Sequence, residues 1–366
     1  MASVPRRDAA APKADRPTIV VLGVGQMGLV CASMLMAGGG QTAGQGGGSG
    51  GRPEVVIWGR NADDVGELAQ TRRSSRLPGF VLPEGVRVSI RDEELRRADV
   101  VVSAIPVQFS RDVWTRLRAF VPRETRVGVV SVAKGIENGT LLRPSQILAE
   151  VLGDDLDGKP RPVGVLTGPT IAAELARCLP ATMIAASDDA AFAAQIQRMF
   201  SSSWLRVYTN SDMLGAEIAG AVKNVIAIAA GVLDGLKGGY NAKSALLARG
   251  LAEIARLGAA MGASPETFFG IAGVGDLATS CFSPEGRNRS LGEALGKGQK
   301  LDQYLKKSPY VVEGVPTTRS VMDLAKKYRV EMPITAAVHA VLFEGLDPLS
   351  AIGQLMSREL KGERVG

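Results

Sequence analysis

The chain has 366 residues, 45% hydrophobic and 22% charged, with a formal net charge of +6. That length exceeds one average domain and is enough for two cores, while no apolar run reaches the roughly 18 unbroken residues that a membrane span needs. Basic residues are scattered and aromatics make up only 5%, which argues against nucleic acid as a partner and in favour of small anions.

Residues 1–16 mix Arg, Asp, Pro and Ala without periodicity and read as a disordered leader; no apolar stretch suggests a signal peptide, and two aspartates speak against a transit peptide. Thr18-Ile-Val-Val-Leu22 is a β-branched run followed at once by Gly23-Val-Gly25-Gln-Met-Gly28 and a helical stretch to about Ala37. A strand, a glycine turn and a helix in this order form a dinucleotide site: Gly23 permits the turn, Gly25 admits the pyrophosphate, and Gly28 lets helix and strand meet. The phosphates then face the N–H groups at the start of the helix. Residues 38–51 are almost all glycine and small polar residues and read as a flexible insertion. The next strand, Glu54 to Trp58, runs into Gly59-Arg60-Asn61. A fold selective for NAD would carry an acid there, and Arg60 favours the 2′-phosphate of NADP, with NAD as the alternative cofactor.

Strands near Val86 to Ile90, Val100 to Ile105, Arg126 to Ser131 and Val163 to Leu166 alternate with helical segments, and two more follow at Thr182 to Ala186 and Leu205 to Tyr208. This predicts an α/β fold with a doubly wound sheet over residues 17–210. Ligands in such sheets lie beyond the carboxyl ends of the strands. That rule singles out Pro106 to Phe109, Ala133-Lys134-Gly135 and Gly168-Pro-Thr170, where Lys134 brings a cation and Gly168 with Thr170 can offer donors to an anion.

From Met213 onward helical patterns succeed one another, which predicts an all-helical substrate-binding domain over residues 211–366. Its first helix is apolar and rich in small residues, yet carries Lys223 and Asn224 near its middle. A helix apolar on nearly all sides is buried, and a buried ammonium is costly unless paired, so Lys223 is a candidate reactive group. Gly273-Val-Gly275-Asp276-Leu277 follows a helix rather than a strand and reads as a turn presenting Asp276. Gly286-Arg287-Asn288-Arg289 opens a helix and gathers donors and guanidinium charge suited to a phosphate. The three cysteines show no metal-like spacing and the single histidine, His339, no partner motif. No metal site or disulfide framework is expected, and a reducing, cytoplasmic setting is.

Taken together, Gly23-Val-Gly-Gln-Met-Gly28, Ala133-Lys134-Gly135, Gly168-Pro-Thr170, Gly220-Ala-Val-Lys223-Asn224, Gly275-Asp276-Leu277, Arg287-Asn288-Arg289 and Val311-Val-Glu313-Gly314 resemble the bacterial-type NAD(P)-dependent glycerol-3-phosphate dehydrogenases over about residues 17–355. The resemblance implies reversible reduction of dihydroxyacetone phosphate to sn-glycerol 3-phosphate, serving phospholipid synthesis, with Lys223 as proton donor and acceptor. It implies contacts to substrate from Lys134, Gly168, Thr170, Lys223, Asp276, Gly286, Arg287 and Asn288. Gln26, Met27, Arg60, Ala172, Val311 and Glu313 would line the NADP site, which Lys134 and Arg287 would also face. A homodimer is a further expectation. The sequence departs from the family pattern at Gly286, where a serine is common, and in the glycine-rich insertion. Two rival readings are another β-hydroxyacid-type dehydrogenase acting on a carboxylate, disfavoured by the Arg287-Asn288 pair, and a non-catalytic NADP-binding sensor, disfavoured by the two lysines.

Overall fold

Alternating β-branched runs and helical segments build a sheet in the first part of the chain. The computed structural model describes residues 16–38, 52–123, 126–153, 155–156, 159–360 and 362, so the expected leader up to residue 15 and residues 39–51 of the insertion lie outside the described residues. The strands are β1 (Thr18–Leu22), β2 (Glu54–Trp58), β3 (Val86–Ser89), β4 (Val100–Ser103), β5 (Gly128–Ser131), β6 (Asp155–Leu156), β7 (Lys159–Pro160), β8 (Val163–Thr167), β9 (Ala181–Ala186) and β10 (Leu205–Asn210). Between them lie helices α1 (Gln26–Gly38), α2 (Ala62–Thr71), α3 (Val107–Leu117), α4 (Pro144–Leu152), α5 (Ala172–Ala176) and α6 (Ala190–Phe200).

Eight strands form one sheet in the order β10-β9-β8-β5-β4-β1-β2-β3. Strands β1 to β5 and β8 are mutually parallel, with Leu22 opposite both Trp58 and Ser103, and Ser103 opposite Ser131. The carboxyl ends of β1, β2, β4 and β5 therefore share one edge, and the order reverses at β1, where a crevice opens for ligand. The sequence reading did not foresee that β9 runs antiparallel to β8. Residues 168–180 link the two strands, enough for a crossover in either direction, so the length of the link does not fix how β9 runs. The β6–β7 hairpin was also not foreseen.

After β10 the chain is helical: α7 (Met213–Gly235), α8 (Gly239–Met261), α9 (Pro265–Phe269), a π-helical turn Ile271–Gly275, α10 (Asp276–Phe282), α11 (Arg287–Gly296), α12 (Leu301–Lys307), α13 (Gly314–Tyr328), α14 (Pro333–Phe343) and α15 (Pro348–Met356). The expected turn at Gly273–Leu277 is corrected: the π-turn runs straight into α10, and Asp276 is that helix's first residue. Helix α12 was likewise not read from the sequence.

Helix α7 is the axis of this part and is buried along nearly its whole length. Among the described residues it is the one helix long and apolar enough to cross a membrane, and 89% of its most apolar window is buried within the protein. Glycines on both helices let α7 and α11 approach backbone to backbone. A Cβ on Gly231 would lie 1.9 Å from Arg289 O, and one on Gly292 would lie 1.9 Å from Ile228 O. That contact seats the first turn of α11 beside the middle of α7. At its other end α7 is tied to the sheet region by Glu217, which accepts hydrogen bonds from Ser145 N at 2.8 Å and Ser145 Oγ at 2.7 Å and pairs with Arg143. Burial pushes the Glu217 carboxyl up, against the pull of Arg143 and Ser145.

Candidate active site

The glycine turn after β1 is held by sterics at two of its three glycines. Gly23 has φ +110°, and a Cβ there would come 2.9 Å from Ala104 O; a Cβ on Gly28 would lie 1.8 Å from Gly23 O. Neither position admits a side chain. Gly25 differs, because a Cβ would meet nothing within 4 Å, so its glycine leaves open space beside the first N–H groups of α1, which have no intrahelical partner. This cradle fits a dinucleotide's pyrophosphate: donors and a partial positive charge surround a gap that a side chain would fill.

A cleft runs from this turn along the carboxyl ends of β1, β2, β4 and β5 to the helical region. Gly23, Gly25, Gln26, Met27, Arg60, Lys134, Thr170, Ala172, Lys223, Asp276, Gly286, Arg287, Asn288, Val311 and Glu313 all line it. Gly28 lies behind the turn, and Gly168 does not reach the cleft either. Gly168 instead accepts a hydrogen bond from Lys134 Nζ on its carbonyl at 2.9 Å.

At the deep end three charged groups meet. Lys223 Nζ, from the middle of α7, donates to Asp276 Oδ1 and to Ser280 Oγ, each at 2.6 Å. Lys134 Nζ, from beyond β5, donates to Asp276 Oδ2 at 2.7 Å and to Thr170 Oγ1 at 3.1 Å. Asp276 thus bridges two ammonium groups while its own side chain is 1% exposed. The Lys134 stem lies against α7 at Gly220, where an added Cβ would sit in ordinary contact at 3.6 Å from Lys134 Cγ. Burial pushes the Lys134 amine down to about 8; the Lys223 charge adds to this, and Asp276 and Glu313 oppose it. Burial pushes the Glu313 carboxyl up, against Arg287, Lys134 and Lys223. Asn224, beside Lys223, lines the cleft with a buried Nδ2 that has no hydrogen-bond partner among the described residues. A donor left so is costly unless a ligand takes it.

The wall opposite the sheet is the start of α11. Arg287 donates to Val311 O at 3.1 Å, and Asn288 Oδ1 accepts from Gly314 N at 2.9 Å. Gly286, the departure noted in the sequence, has φ −72° and would meet nothing nearer than 3.3 Å with a Cβ. A serine there would press its Cβ against the Ser283 carbonyl oxygen more tightly than an ordinary contact, so it fits only if that backbone shifts by a few tenths of an ångström.

Sequence reasoning missed Ser280. It lies one helical turn after Asp276, so both face Lys223, but reading residues 273–277 as a turn hid that spacing. It also missed an acid at the cleft's far end: Asp64 and Arg76 line it together with Arg60, paired at 2.6 Å. Arg60 itself stacks over Phe109 at 5.8 Å from the ring centroid.

A mostly parallel sheet with a glycine turn at its switch point and a lysine–aspartate–lysine cluster facing the same crevice define a dinucleotide-dependent oxidoreductase. Comparison with known proteins narrows the class. Residues 18–193 match the family model for the N-terminus of NAD-dependent glycerol-3-phosphate dehydrogenase, and residues 212–353 match that for its C-terminus. Glycerol-3-phosphate dehydrogenase [NAD(P)+] of Mycobacterium leprae is 43% identical over 355 residues, covering 94% of this chain and 97% of its own. An enzyme of the same name from Salinibacter ruber is 45% identical over 312 residues, covering 85% and 90%. The crystal structure of glycerol-3-phosphate dehydrogenase from Coxiella burnetii superimposes with a TM-score of 0.84 at 32% identity, covering 94% of this chain and all of that one. The chain belongs to the NAD(P)-dependent glycerol-3-phosphate dehydrogenase family.

Proposed function

We propose that this protein interconverts dihydroxyacetone phosphate and sn-glycerol 3-phosphate with NADP, and with NAD as a second cofactor, feeding glycerophospholipid synthesis. The observation that carries this reading is the joint presence, in one cleft, of two lysines bridged by Asp276 and an Arg-Asn pair opening α11. The first suits proton transfer at a carbonyl, and the second suits a phosphate.

The dinucleotide, when bound, supplies the hydride. Gly23, Gly25 and the start of α1 at Gln26 and Met27 would hold its pyrophosphate, Arg60 its 2′-phosphate, and Ala172, Val311 and Glu313 the walls further in. In reduction, the Lys223 ammonium donates a hydrogen bond to the substrate carbonyl oxygen and gives it a proton as negative charge develops there; in oxidation the neutral amine takes the hydroxyl proton. Asp276 and Ser280 hold that amine in place, each at 2.6 Å. Lys134 adds a second positive charge beside the developing alkoxide. Arg287, Asn288 and the N–H groups at Gly286 and the start of α11 hold the phosphate, which fixes the carbonyl and converts binding into orientation. Thr170, held by Lys134, completes the substrate wall.

We assign residues 17–210 to the cofactor-binding domain and 211–366 to the substrate domain, on the break between β10 and α7. A cytoplasmic location is supported by three free cysteines, and a homodimer by exposed Leu349 and Met356 on α15. The test of function follows NADPH absorbance with dihydroxyacetone phosphate, with dihydroxyacetone and with small keto acids, in wild type and Arg287→Ala. Only the phosphorylated substrate should turn over well, and Arg287→Ala should raise its KM about tenfold or more, the worth of a lost charge-assisted contact, without affecting dihydroxyacetone. Keto acids turned over in preference would favour the carboxylate-acting rival.

A further inference from the structure

The far end of the cleft holds three charged side chains, Arg60, Asp64 and Arg76. Arg60 belongs to the turn after β2. Arg76 reaches the same end from the loop between α2 and β3, and that loop is firmly built. Leu77 and Leu82 are 2% and 0% exposed. Arg72, in the left-handed region at φ 57°, donates through its guanidinium to Leu82 O at 3.4 Å, to Val86 O at 2.8 Å and to Pro83 O. The Arg76 head is held by no such set of backbone contacts among the described residues. It is 42% exposed, and its partner is Asp64 Oδ2 at 2.6 Å, with Asp64 itself 36% exposed. Asp64 is fixed in the first turn of α2, where its N–H is capped by Asn61 Oδ1 at 2.9 Å.

An ion pair at this exposure contributes little and is cheaply exchanged. A phosphomonoester carries roughly −1.5 to −2 charges near pH 7 and takes a guanidinium through two parallel hydrogen bonds. Arg76 therefore gains by leaving Asp64 for a phosphate at this end of the cleft. A free 2′-hydroxyl offers no such exchange, and Arg76 then stays on Asp64, which neutralises it. We propose that Arg76 is a second specificity-determining cation which, with Arg60, selects a dinucleotide bearing a 2′-phosphate, and that Asp64 is its resting partner, so that the cofactor with a free hydroxyl is still admitted. This rests on the NADP reading above.

The test uses adenosine halves of the cofactors, so that its readout is independent of turnover. The full-length protein is titrated calorimetrically with adenosine 2′,5′-bisphosphate and with 5′-AMP. Wild type should prefer the bisphosphate. Arg76→Leu should weaken the bisphosphate about tenfold, as for a lost charge-assisted contact, and 5′-AMP less than about twofold; Arg76→Lys, which keeps the charge and tolerates any loss of packing, should lie between. Asp64→Asn should tighten the bisphosphate by removing both the competing acceptor and its repulsion. An unchanged ratio of the two Kd values in both Arg76 variants overturns the assignment, and if Arg60→Leu abolishes the ratio in the same experiment the NADP reading still stands. Equal binding of both ligands by wild type would overturn the NADP reading and this proposal with it.

Discussion

Replacing Lys223 by Met removes one amine from a cluster that holds two ammonium groups around one carboxylate. The thioether keeps the aliphatic stem and the helix, and gives up the two 2.6 Å hydrogen bonds to Asp276 and Ser280. Asp276 is not stranded, because Lys134 still pairs with it at 2.7 Å, so the remaining pair is neutral and Ser280 faces the cleft. Stability should therefore stay within about 1 kcal/mol of wild type or rise, since replacing one buried ion by an apolar chain is neutral to favourable when the rest stays balanced. Turnover should fall by about two to four orders of magnitude, the usual worth of a positioned acid–base group, or about 3 to 5 kcal/mol in the barrier. The measurements are the rate of NADPH oxidation at saturating dihydroxyacetone phosphate, NADPH affinity by fluorescence, and urea unfolding. Near-normal turnover would show that Lys223 only extends its head to water, and loss of NADPH affinity alongside turnover would show that the cleft had collapsed rather than lost a proton donor.

Asp276→Asn should do the opposite to stability: two buried ammonium groups lose their shared counter-charge, and unfolding free energy should drop by about 3 to 5 kcal/mol; urea melts matching wild type would show that water in the cleft already solvates both lysines. For Lys134, whose amine is held down at about 8 against an ordinary 10.5, the folded state releases its proton before the unfolded chain does. Between those values the unfolded state binds more protons, so this group adds stability as pH rises through the window, and the stability of wild type relative to Lys134→Met should grow from pH 8 to 10.5; a flat difference would contradict it. Gly292→Ala would put a Cβ 1.9 Å from Ile228 O, and forcing α11 off α7 should cost about 3 kcal/mol and raise KM for the phosphorylated substrate as Arg287 and Asn288 shift; an unchanged melting temperature would mean the helices part freely.

Much of this protein is written in local pattern. The strand, glycine turn and helix at Thr18 to Ala37 carry their own geometry, because only glycine fits where a backbone oxygen lies 1.8 to 2.9 Å from the missing Cβ at Gly28 and Gly23. Lys223 stood out because a charge in an apolar helix needs a reason, and Arg287-Asn288 because a helix start and a guanidinium both favour a phosphate. The structure alone decided what those groups touch. Lys134 and Asp276 are 142 residues apart in the chain, and Lys223 and Asp276 are 53 apart. Their meeting depends on how the sheet edge, α7 and α10 pack, as does the Ser280 contact. The same holds for Asp64 and Arg76, which local pattern gave no reason to bring to the cofactor's end, and for the antiparallel direction of β9. Periodicity states which face of an element is buried, since it follows from backbone geometry over a few residues; which other face covers it depends on side-chain packing between distant segments, and that is where the charges of this cleft find their partners.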